Sequence, residues 1–118
     1  MPFAERDWKH LRSVHEPALQ RFCTRVLADA AAIIQRSETS AHERYLQLSY
    51  LLHDRNDEMA TAFDDLRRST GLQRLIAMVG LDVVSREELA GFSPDVQKTA
   101  HEMSRLLSPR RKSVRRGR

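Results

Sequence analysis

An all-α fold follows from three features of the 118-residue sequence. Apolar residues recur at three- and four-residue steps over two long stretches. Ser-x-x-Glu boxes stand at the starts of periodic segments, and glycine and proline, Pro17 apart, fall where those segments would begin or end. The pattern predicts a long antiparallel helical hairpin with two or three short C-terminal helices, in a single helical domain over 1–108. A disordered Arg-rich tail is expected over 109–118.

The first helical stretch starts at Asp7 or Ser13 and runs to about Arg36, with Trp8, Leu11, Val14, Ala18, Leu19, Phe22, Val26, Ala30, Ile33 and Ile34 on one stripe. Pro17 interrupts it. A proline deep inside a helix costs about 3 kcal/mol, whereas one near the first turn costs little, because the N–H it lacks has no partner there. Ser13-x-x-Glu16 is a capping box that offers such a start, so a kink at Pro17 and a fresh helix at Ser13 both fit.

Ser37, Glu38 and Thr39 form a polar break before the box Ser40-Ala41-His42-Glu43, which opens a helix expected to reach about Arg68. Its apolar positions Tyr45, Leu48, Leu52, Met59, Ala62, Phe63 and Leu66 keep near-heptad spacing, and acidic residues fill the other faces. With only a short polar loop between them, the two stripes are expected to bury each other, and Arg55, lying within the second stripe, is expected to turn its charged end to solvent.

Leu72, Leu75, Ile76 and Val79 then predict a short helix closed by Gly80. The box Ser85-Arg86-Glu87-Glu88 opens one or two turns that stop at Gly91. Ser93-Pro94-Asp95 opens a last helix with Val96, Ala100, Met103, Leu106 and Leu107 inward, ended by Pro109.

The charge is unevenly placed. Arg110, Arg111, Lys112, Arg115, Arg116 and Arg118 carry six positive charges with no acid among them, so the rest of the chain has a net charge of −2 against +4 for the whole. A basic surface for nucleic acid can therefore be assigned to the tail and not to the domain. Cys23 is the only cysteine, which excludes an intramolecular disulfide and an all-cysteine metal cage and fits a reducing, cytoplasmic setting. It is expected to be a buried small hydrophobe. The N-terminal residues lack the pattern of a signal peptide, and no apolar run is long enough for a membrane span, so no membrane partner is expected.

Chemistry-bearing constellations are sparse. His53-Asp54 resembles the metal-binding dipeptide of metal-dependent phosphohydrolases, in which an upstream His and a distant Asp, here His42 and Asp82, complete the set. His42 precedes His53 by eleven residues on one helix, about 16 Å of rise, too far to share a metal ion. The pair reads instead as part of a helix surface. There is no Glu-x-x-His, no His-Glu-x-x-His, no glycine-framed serine and no glycine-rich phosphate loop. The segment Leu75–Leu89 has the outline of a helix-turn-helix, yet its second helix presents Glu87 and Glu88 beside Arg86, and acids facing phosphates repel. No catalytic residue, metal site or cofactor is assigned.

Three functions remain as expectations. The first is a non-enzymatic interaction protein, pairing as a homodimer or with a helical protein partner. Leu27 and Cys23 on one helix, and Tyr50 and Leu51 on the other, widen the apolar surface beyond one stripe. The second is a nucleic-acid-associated accessory protein that binds through the tail cations. The third is a small helical enzyme whose site is assembled from distant residues.

Overall fold

The computed structural model of the protein describes residues 3–107, which form five helices and no strand. These are α1 (Glu5–Ile34), α2 (Ala41–Phe63), α3 (Gly71–Gly80), α4 (Arg86–Ala90) and α5 (Pro94–Leu107). The molecule measures 52 × 24 × 22 Å with a radius of gyration of 16.1 Å. A compact chain of about 100 residues would have a radius near 13 Å, so the shape is extended.

The extension arises because the core occupies one end. Phe3, Leu11, Val14, Ala18 and Phe22 of the N-terminal region and α1 pack with Ala62 and Phe63 at the end of α2. They meet Leu75, Ile76 and Met78 of α3, Leu81 and Val83 of the following loop, Phe92, and Ala100 of α5. This is the body. The last third of α1 and most of α2 project from it as a two-helix arm. α2 runs back along α1: Arg44 donates to Ile34 O at 2.7 Å at the tip, and Phe63 stacks edge-on against His15 at 5.5 Å near the base.

Helix α1 is continuous through Pro17, which resolves the two alternatives in favour of one helix of 30 residues. Ser13 does not cap a new start; its hydroxyl donates to His10 O at 2.6 Å. Burial of Val14, Ala18 and Phe22 on either side of the proline holds the helical path despite the lost N–H bond. Pro17→Ala restores a donor in an exposed helix interior, and we expect it to raise the unfolding free energy by about 1–3 kcal/mol. Urea denaturation followed by circular dichroism measures this, and an unchanged or lower value would show that the neighbouring turns have already absorbed the cost.

The reciprocal burial expected of the two stripes is confined to the base of the pair, where the Phe63 ring lies 5.8 Å from that of Phe22. Of the 23 residues of α2 only Ala62 and Phe63 are buried. The strip Tyr45, Leu52, Met59 lies about a quarter-turn around from the side that meets α1, and the half-buried residues facing α1 are Arg44, Leu48, Leu51, Arg55 and Glu58. Arg55, expected to reach solvent, is 23% exposed and pairs with Glu58 at 3.5 Å. The helix also ends at Phe63 and not near Arg68: the backbone turns extended at Asp64 (φ −78°, ψ 155°) and left-handed at Asp65 (φ 53°), which keeps the hydrogen-bond ladder from continuing.

Arginines from distant elements complete the helix ends. None of α1 to α4 has a basic residue in its last turn, where carbonyls lack intrahelical partners. Arg44 reaches Ile34 O beyond α1, Arg74 reaches Thr61 O and Asp64 O at the end of α2, and Arg25 reaches Leu81 O and Asp82 O after α3. Gly80, expected to cap α3, has no positive φ; Asp82 (φ 61°) makes the reversal instead. Gly91 is required for space, since a Cβ there would collide with the His10 ring. Ser85 and Glu88 form the expected capping box of α4, and Ser40 accepts from Glu43 N at 3.1 Å to cap α2.

Candidate functional site

The polar residues that reach the body bind backbone. His10 Nε2 lies 2.7 Å from Glu88 O, and Arg21 donates to Val83 O at 2.8 Å and to Glu88 through two bonds of 2.7 and 2.9 Å. These bonds draw Glu88 of α4 back toward α1. The Arg21 hydrogen bond is the main cause of a Glu88 carboxyl held below its ordinary value; burial opposes it and the Ser85 backbone N–H adds to it. A lowered value in the fold means stability that is complete above the ordinary glutamate value of about 4.3 and is lost as pH falls through the depressed one. Glu88→Gln should therefore flatten the loss of stability between about pH 5 and about pH 2. Urea midpoints collected across that range test it, and parallel curves for the two proteins would remove Glu88 as a contributor.

His42, His53 and Asp54 are exposed on α2, and among the described residues no group of three or more His, Cys, Asp or Glu side chains converges. A shallow groove lined by Phe3, Ala4, Arg68, Leu72, Val96 and Thr99 opens between the N-terminus, α3 and α5. Its arginine is already engaged, with Nε donating to Phe3 O at 2.6 Å and Nη1 3.4 Å from Glu5. No described helix is long and apolar enough to cross a membrane. The tail cations Arg110, Arg111, Lys112, Arg115, Arg116 and Arg118 lie outside the described residues.

The arm carries the feature that stands out. Leu27 is 68% exposed, Ile34 53%, Tyr45 68% and Leu52 42%. At about 100° per residue, Leu19, Cys23, Leu27, Ala30 and Ile34 share one strip of α1, and Ala41, Tyr45, Leu48, Leu52, Asn56 and Met59 share one strip of α2. Each strip is displaced in the same rotational sense from the side of its helix that meets the other. Because the two helices run in opposite directions, both strips emerge on the same face of the pair. The Arg44–Ile34 bond puts Ile34 and Tyr45 together near the tip, and seven residues down each helix Leu27 and Leu52 form a second level.

The chain matches no family model, no curated protein and no solved structure.

The face is free of charge. On the arm portion of α1 the charged residues are Arg21, Arg25 and Asp29, four apart, on the flank that turns toward the body. On α2 they are Glu43, Arg44, Asp54, Arg55, Asp57 and Glu58, all on the seam with α1 or beyond it. The body contacts α1 through Asp7, His10, Arg21 and Arg25, on the opposite side from the strip, so none of these bonds reaches over it. Of the residues singled out in the sequence, Leu27 lies on the face and Cys23 is half-buried at its edge. Leu51 is half-buried in the seam, and Tyr50, 69% exposed, is on the far side of α2. Ile34, Tyr45 and Leu52 were not distinguished as surface residues. The signal for them is that every charge on α2 avoids one side of the helix.

Proposed function

We propose that the protein is a non-enzymatic helical interaction module whose contact surface is the uncharged face of the α1–α2 arm, and that it takes an apolar helical protein surface laid along the arm. The observation that carries this reading is the pair of levels Ile34/Tyr45 and Leu27/Leu52, large apolar side chains left in solvent at heptad spacing on both helices. They contribute nothing to the core of the body, which is complete without them. Exposed apolar patches of several hundred Å² are uncommon on monomers and usually mark a contact site. A reducing, cytoplasmic setting fits the lone Cys23.

A face kept apolar for contact and not for folding should tolerate charge. Leu27→Glu/Leu52→Glu, measured at about 1 µM where association is suppressed by mass action, should unfold within about 1 kcal/mol of the parent. A loss above about 2 kcal/mol would mean that these residues hold the arm together, and the reading would be withdrawn.

A further inference from the structure

We infer that the surface which covers this face is a second copy of the chain, so that two arms close into a four-helix bundle. The inference rests on the reading of the arm as the contact surface and names its occupant. Three observations favour self-pairing over a foreign partner or a lipid surface.

First, the face offers no Asp, Glu, Lys or Arg along α2 or the arm portion of α1. A different protein would normally be selected and registered by charge complementarity, and here there is no charge to do it. An apolar face is complementary to itself, which is what a two-fold interface demands of both subunits.

Second, the geometry that the partner must present is the geometry of the arm. Two antiparallel helices with side chains seven residues apart interdigitate with another such pair as knobs into holes. Below Leu27 and Leu52 the strips pack against the body through Cys23, Leu19 and Met59, so the free face runs from the level of Leu52 to that of Ala41, about 17 Å at 1.5 Å per residue, and across two helices about 20 Å wide it covers on the order of 350 Å². That is below the ~800 Å² per partner of a standard interface, so the pairing is a weak one that depends on concentration.

Third, the rim is wrong for a membrane. Helices that lie on lipid carry Lys and Arg along their polar faces; away from the strip α2 carries Glu43, Asp54, Asp57 and Glu58 against Arg44 and Arg55, both of which face α1.

The test is light scattering on the full chain at tens of micromolar, with the parent, Leu27→Glu/Leu52→Glu, the milder Ile34→Lys, and Tyr50→Glu on the far side of α2. The parent and Tyr50→Glu should have twice the 13.6 kDa chain mass, and the two face variants should shift to the single-chain mass. A parent of single-chain mass at every concentration overturns the second copy as occupant, while the reading of the arm is still decided separately by the stability measurement at low concentration. Face variants that remain dimeric overturn it by placing self-association elsewhere. A monomeric parent that floats with neutral phospholipid vesicles overturns it in favour of lipid.

Discussion

Phe92→Ala is expected to lower the unfolding free energy by about 3–5 kcal/mol, a loss large enough to leave much of the protein unfolded at physiological temperature. Phe92 is 1% exposed, with its ring 4.5 Å from His10 in an edge-on contact and 6.2 Å from Phe3. It therefore joins the chain's N-terminus, the first turns of α1 and the entry to α5. Truncation removes the transfer free energy of the ring and leaves a cavity that cannot collapse easily. His10 is tied to Glu88 O, and the residue before the ring, Gly91, is already in tight contact with His10. For a domain of this size each kcal/mol shifts the melting temperature by about 4–8 °C, so calorimetry should register a fall of at least about 12 °C. A fall of only a few degrees would mean that the helices of the body move together to fill the space.

The body and the arm were legible in the sequence to different degrees. Local signals read well: the Ser85–Glu88 box, the Ser40 cap and Pro94 at the first position of α5 each depend on residues three or four apart. Ser13-x-x-Glu16 had the same local signal and failed, because burial of Leu11 and Val14 ahead of Pro17 favoured an unbroken helix over a cap. The heptad Tyr45, Leu52, Met59 was visible as a stripe, but a stripe says only that something should cover it. The assumption that α1 covers it went with an Arg55 turned to solvent, whereas Arg55 and Glu58 pair with each other in the seam. The arginine bonds to helix ends span ten to 57 residues, and nothing in local spacing foretells them. What α2 did reveal in sequence, and what the proposed contact face is built on, is the one-sided distribution of its charges.

Asp7→Ala should cost about 2–4 kcal/mol, and part of that is the loss of an acid from the first turn of α1, where the helix dipole favours negative charge. Asp7 is 2% exposed; its Oδ1 accepts from Ser93 N at 2.8 Å and its Oδ2 from the Ser93 hydroxyl at 2.9 Å. Ser93 immediately precedes α5, so a side chain from α1, 86 residues away, helps fix the entry of the last helix. A carboxylate so placed also faces the positive end of α5, a favourable interaction of about 0.3–1 kcal/mol. Alanine leaves the half-buried Ser93 N–H without its acceptor, so the loss should exceed that of deleting an exposed hydrogen bond. Asp7→Asn separates the contributions: the amide oxygen still accepts from Ser93 N, while the NH₂ can donate to the Ser93 hydroxyl, which must then turn. Asparagine should therefore lie between the parent and alanine, having lost the charge and kept the bonds. Hydrogen exchange should show the first turns of α5 opening first in the alanine variant, ahead of α1 and α2. If alanine and asparagine were equally destabilised, the charge itself and not the pair of hydrogen bonds would be what fastens α5 to the body.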